Sequence, residues 1–201
     1  MKRRHLLAGM GTIAAGSATL VGSGAFTSVE AEREIEVSVV GDDAAFLALE
    51  AIDGDPNAEE FVTVDGHTLR VHITENEIGG EGVNEQSAYL FDDLFTITNQ
   101  GTQGTYVYMD TELAGVNFYR IEGGDRRQID AGGTANGVDA LGDIGPRPEI
   151  QYLEVGESIR VGLGIDTIGT PFDRDGTATI IAETDVEKLP SGGGWDREDP
   201  E

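Results

Sequence analysis

Ile159-Arg160-Val161-Gly162-Leu163-Gly164-Ile165-Asp166 decides the fold class of this chain. Every second residue is a large apolar one, and the residues between are charged or glycine. Side chains of a strand point alternately to its two faces, so the stretch reads as a strand with one dry and one wet face, the pattern of antiparallel sheets. Ile35, Val37 and Val39 repeat the alternation, as do Leu69, Val71 and Ile73, and Phe95 and Ile97. Turn chemistry sits between such stretches. Asp65-Gly66 separates Phe61–Val64 from Thr68–Ile73, a strong hairpin signal. Asn99 to Gly104 joins the Phe95 strand to Tyr106–Met109, and Val155-Gly156-Glu157 turns the chain into the opening stretch.

About nine or ten strands with turns every 8–12 residues predict an all-β fold: a two-sheet antiparallel β-sandwich, jelly-roll or immunoglobulin-like, with short helical turns. Asp42–Ala51 fits a capped helical turn or a strand, and Val83–Asp93 a short helix. Gly123–Pro148, rich in Gly, Asp and Pro, reads as a long loop. The expected domains are a leader at 1–31, a sandwich at 32–190, and a disordered acidic tail at 191–201, where the only Trp, Trp195, is not expected to be buried.

The leader reading rests on Lys2-Arg3-Arg4, an uncharged run from Leu6 to Phe26 holding five glycines, and the small-residue junction Val29-Glu30-Ala31. The Arg pair before a weakly apolar core points to twin-arginine export, with cleavage after Ala31. An uncleaved anchor is the alternative, since about 20 residues can span a bilayer, though the glycines weaken it. The implied location is extracellular or at the cell surface. Cleavage removes three basic residues and one acidic residue, taking the net charge from −25 to −27. Such self-repulsion opposes a compact state in dilute buffer and is screened in molar salt, where the Debye length is about 3 Å. With only Lys2 and Lys188 as lysines, the composition reads as that of a halophilic, archaeal protein. The sign of the charge argues against nucleic acid as a partner.

Chemistry is sparse. The chain has no cysteine, which removes disulfides, thiolate metal sites and a cysteine nucleophile. His67 and His72, five apart on a hairpin, make no HExxH pair, and no nucleophile elbow or phosphate loop occurs. Carboxylate pairs such as Asp42-Asp43 and Asp92-Asp93 are expected by chance among so many acids. Gly162 and Gly164 suit close packing or a bulge rather than a ligand cradle. The sharpest metal candidate is a calcium loop at Asp53, Asp55 and Asn57, oxygen ligands at alternate positions. Ala58 stands where such a loop places glycine, and an ordinary acidic turn competes with it. Asp173-Arg174-Asp175-Gly176 is a weaker case. No cofactor other than calcium is suggested.

Several stretches carry a resemblance: Gly22–Ala31, Phe91-Asp92-Asp93-Leu94-Phe95-Thr96-Ile97-Thr98-Asn99-Gln100-Gly101-Thr102, Leu153-Glu154-Val155-Gly156-Glu157-Ser158 and Ala178–Glu183. In them the chain resembles a haloarchaeal family of secreted proteins of unknown function and, more loosely, the bacterial TasA/camelysin family. That resemblance implies a β-sandwich of the cell surface or biofilm matrix, with fibres formed by strand exchange between subunits. Camelysins are also described as metalloproteases, but no zinc motif here carries that over.

The leading expectation is a non-enzymatic structural or adhesive subunit with Glu34–Val40 as the exchangeable strand, its partners being further copies and envelope or matrix components. The alternatives are a monomeric extracellular module binding a ligand or calcium, with Gly123–Pro148 as its binding loop, and, behind it, a secreted hydrolase such as a metalloprotease.

Overall fold

Apolar–polar alternation sorts the strands into two sheets facing one another across a single core. The computed structural model describes residues 35–41, 47–65, 68–73, 83, 86–111, 113–130, 144, 148–168, 173, 175–190 and 195–197. The leader, Asp42-Asp43, Gly66-His67, most of 131–147 and Ser191–Gly194 lie outside the described residues. The strands are β1 (Ile35–Gly41), β2 (Leu47–Ala51), β3 (Val62–Asp65), β4 (Thr68–Ile73), β5 (Ala88–Asn99), β6 (Thr105–Thr111), β7 (Val116–Glu122), β8 (Asp125–Gln128), β9 (Glu149–Leu153), β10 (Ser158–Asp166), β11 (Asp175–Glu183) and β12 (Asp196–Arg197). One helix, α1 (Pro56–Phe61), lies between β2 and β3.

The larger sheet runs β12-β9-β6-β11-β1-β4-β3 and the smaller β2-β5-β10-β7-β8. The chain crosses repeatedly between them, and β3–β4 and β7–β8 are the only consecutive strands joined as hairpins within the smaller and larger sheets among the described residues. Leu69, Val71 and Met109 from the larger sheet meet Phe95, Phe118 and Leu163 from the smaller in the core, all with no exposure. The expected all-β sandwich is therefore present. Its ladders are antiparallel apart from two, β1 with β11 and β12 with β9.

β1 is interior. It lies between β11 and β4, with Val37 in register with Val71 on one side and Gly176 on the other. The outermost strands among the described residues, β12, β3, β2 and β8, have five residues or fewer. Short edges leave little backbone open to stray pairing.

Several expectations are corrected. The opening stretch, now β10, is buried on both faces from Val161 to Asp166 because β7's Tyr119 and a segment at Ile144 cover the smaller sheet's outer face. Val83–Asp93 holds no helix where it is described from Ala88 on. That part is the start of β5, because Tyr89 and Phe91 pack against the core. Asp42–Ala51 resolves to strand β2 over its described part. Asn99–Gly104 links strands of opposite sheets rather than a hairpin. The loop at Gly123 opens as a hairpin, Gly123 and Gly124 taking positive φ before β8. Its next residues span the sandwich, Ile129 N–H donating to Phe118 O (3.0 Å) and Ile129 O accepting from Met109 N–H (2.8 Å). The tail is not without structure, since Trp195 and β12 return to the larger sheet.

Candidate functional site

The densest polar constellation grows from an irregularity in β5. Phe91 pairs with Leu163 and Phe95 with Val161, so Asp92, Asp93 and Leu94 stand opposite the single Gly162. The extra residues form a bulge, with Asp93 at φ 56°. Asp92 accepts hydrogen bonds from Tyr119 Oη (2.8 Å), Arg126 Nε (2.8 Å) and Arg126 Nη2 (2.5 Å). The guanidinium of Arg126 also lies over the Tyr119 ring, 5.9 Å from its centroid. Arg160 Nη1 reaches Asp93 Oδ1 at 3.0 Å.

Electrostatics fix these groups in one protonation state. The Arg126 hydrogen bonds hold the Asp92 carboxyl below its ordinary range, overcoming the opposing effect of burial. Burial, then the bond to Asp92, pushes the Tyr119 phenol far upward, and Asp92 likewise raises Arg126. General acid–base catalysis needs a group that titrates near the working pH. These three are locked as anion, phenol and cation, an arrangement suited to bracing the bulge.

A second polar group ties the sheets together. Arg120 on β7 donates from Nε (3.2 Å) and Nη2 (2.9 Å) to Glu149 Oε2 on β9 of the other sheet, and also pairs with Glu122. Arg127, directly across from Arg120, stands 3.9 Å from Glu149 Oε1. Arg120 is 8% exposed, so this bridge closes one end of the sandwich with most of its cation out of water.

The outer face of the larger sheet carries aromatics. Tyr106 and Tyr108 on β6 stand beside Ile150 and Tyr152 on β9, with Tyr106 and Tyr152 ring centroids 5.0 Å apart. Leu189 covers part of this face, and Trp195 meets Tyr108 edge-on at 5.4 Å. Burial, helped by the Asp110 and Glu183 carboxylates, raises the Tyr108 phenol. β12 then pairs with Glu149 and Ile150, and Asp196 N–H donates to Pro148 O (2.9 Å).

The calcium candidates have other work. Asp55 is the N-cap of α1, its carboxylate accepting from the N–H groups of Asn57 (2.9 Å) and Ala58 (3.5 Å), with Pro56 opening the helix. Asn57 Nδ2 donates to the Asp92 carbonyl in the bulge (3.1 Å). Asp53 sits exposed in the preceding turn, where Gly54 has φ 75°. Cap and clamp thus occupy two of the three side chains. The sequence carried the signal, since Asp-Pro followed by Glu59 is a helix start. Of the weaker case, Asp173 accepts from Ala114 N–H (2.9 Å) and Gly176 lies in β11. His72 faces outward and its Nε2 lies 3.1 Å from Thr63 Oγ1. Among the described residues, no group of three His, Cys, Asp or Glu side chains is placed to hold a metal.

The motif stretches meet at Asn99, which is 2% exposed. Its Nδ2 donates to Gln103 O (2.9 Å) and Leu153 O (3.0 Å), and its Oδ1 accepts from Gly101 N–H (2.9 Å). Its backbone carbonyl accepts from Gly156 N–H (2.7 Å), and its own N–H donates to Glu157 O (3.0 Å). One asparagine therefore staples the 99–104 loop to the 154–157 turn. No protein-family model and no curated protein sequence matches the chain.

Proposed function

We propose that this chain is an exported, non-enzymatic structural subunit of a halophilic archaeal cell surface or matrix, assembling by exchange of its first strand. The observation carrying this reading is the seat of β1. It is the first described strand, it lies between β11 and β4, and it is laddered on both sides. A β1 supplied by a neighbour makes the same two ladders, so exchange conserves backbone pairing while joining subunits head to tail. The composition supports the rest: a basic, Gly-rich leader, a net charge of −25 and no cysteine. The locked state of Asp92, Tyr119 and Arg126 favours a scaffold over an enzyme.

Electron microscopy and size-exclusion chromatography of the chain from Glu32 onward, in molar KCl, test this reading. Filaments that lengthen with concentration are expected. A single sharp monomer peak at all concentrations refutes it and leaves a monomeric binding module in its place.

A further inference from the structure

The β9 edge is a place where strand addition is already seen. β12 lies parallel to β9 and pairs with only two of its five residues, Glu149 and Ile150. Beside that edge, the outer face carries Tyr106, Tyr108, Ile150 and Tyr152, which the segment from Leu189 to Trp195 covers in part. This cover is small. Two paired residues and one edge-on ring contact hold it, against the full ladder that β6 forms on the other side of β9.

We propose that the β9 edge with its aromatic face is a contact surface for a second copy of this chain, and that Trp195–Arg197 is a clasp that holds it shut in the single molecule. The occupant is the β9 edge of the other copy, added about a two-fold axis. A two-fold contact uses the same patch twice, and a strand edge flanked by aromatics is self-complementary in that way. A five-residue strand offers more backbone partners than the two of β12. The clasp prevails in dilute solution because it is tethered, and a short tether gives an effective concentration on the order of 1 mM. The proposal rests on the reading of this chain as an assembling subunit, but it concerns the opposite side of the larger sheet from β1's neighbour β4.

Sedimentation in molar KCl separates the two ideas. The chain from Glu32 to Glu201 is compared with one ending at Pro190 and with Trp195→Ala in the full-length mature chain. Both altered chains are expected to dimerise about tenfold more tightly or better than the unaltered one, a change of at least ~1.4 kcal/mol. Tyr108→Lys, added to the shortened chain, is expected to abolish the gain. Trp195 is the only tryptophan, so its emission reports the clasp directly: Tyr108→Ala in the full chain should shift it to the red with circular dichroism unchanged. If the shortened chain does not fold, Trp195→Ala alone decides. Equal dimerisation with and without the clasp, in folded protein, overturns the proposal. Filaments without clasp dependence leave strand exchange standing alone, and clasp-dependent dimers without filaments do the reverse.

Discussion

Gly162 has no room for a side chain. A Cβ there would stand 2.5 Å from Tyr119 Cε2 and 2.6 Å from the Phe91 carbonyl oxygen, and the carbonyl belongs to a paired strand that cannot step aside. Gly162→Ala is therefore expected to cost about 2–3 kcal/mol, read as a lower denaturant midpoint in molar KCl. The same bulge makes a pH prediction. The carboxyl of Asp92 is held below the ordinary aspartate value of 3.8, so its contribution to stability is complete above that value and is lost as pH falls through the lower folded-state value. Asp92→Asn should lower the melting temperature at pH 7, with the gap to the unaltered protein closing below about pH 3.8. A gap that stays constant down to pH 2 would show that the charge of Asp92 does not brace the bulge. Sequence reasoning set the Asp92-Asp93 pair aside as chance, and nothing local marks it out. Its partners Tyr119 and Arg126 are about 30 residues away along the chain, and only folding brings them together.

At the scale of elements, legibility followed sequence distance. The β3–β4 hairpin was readable because Asp65-Gly66 and both alternating flanks are neighbours in sequence, and Asp65 pairs with Thr68 as that turn requires. α1 was misread as a metal loop, although its capping residues were present, because carboxylates at alternate positions serve a calcium ion and a helix N-terminus equally well. β1 was readable as a strand but not as an interior one. Its neighbour β11 enters from the far end of the chain. Val37 shares its register position with fully buried Val71, and cross-strand neighbours face the same side. Val37→Asp is thus expected to destabilise the single domain by about 3 kcal/mol or more, as well as to block assembly. A monomer with unchanged melting temperature would mean that β1 is dispensable in its own domain.

For the whole molecule, charge is the dominant condition. Of the 13 basic residues in the chain, Arg120, Arg126, Arg127 and Arg160 are engaged with carboxylates on or beside the smaller sheet, which leaves the acidic excess elsewhere with few partners. Repulsion among the rest is screened within about 3 Å in 1 M salt and reaches about 30 Å at 0.01 M. The melting temperature should rise steeply from millimolar to molar KCl, and a salt-independent value would refute this. Composition and alternation alone determined the all-β class, the acidic surface and the absence of disulfides, because each depends on residue type or on neighbours a few positions apart. Strand order, the burial of β10 on both faces, the bulge at Asp92, the Arg120–Glu149 bridge and the return of Trp195 to the larger sheet were decided by tertiary structure. Each of these is a pairing between segments distant in sequence, and no local period encodes which distant strand will complete a ladder or cover a face.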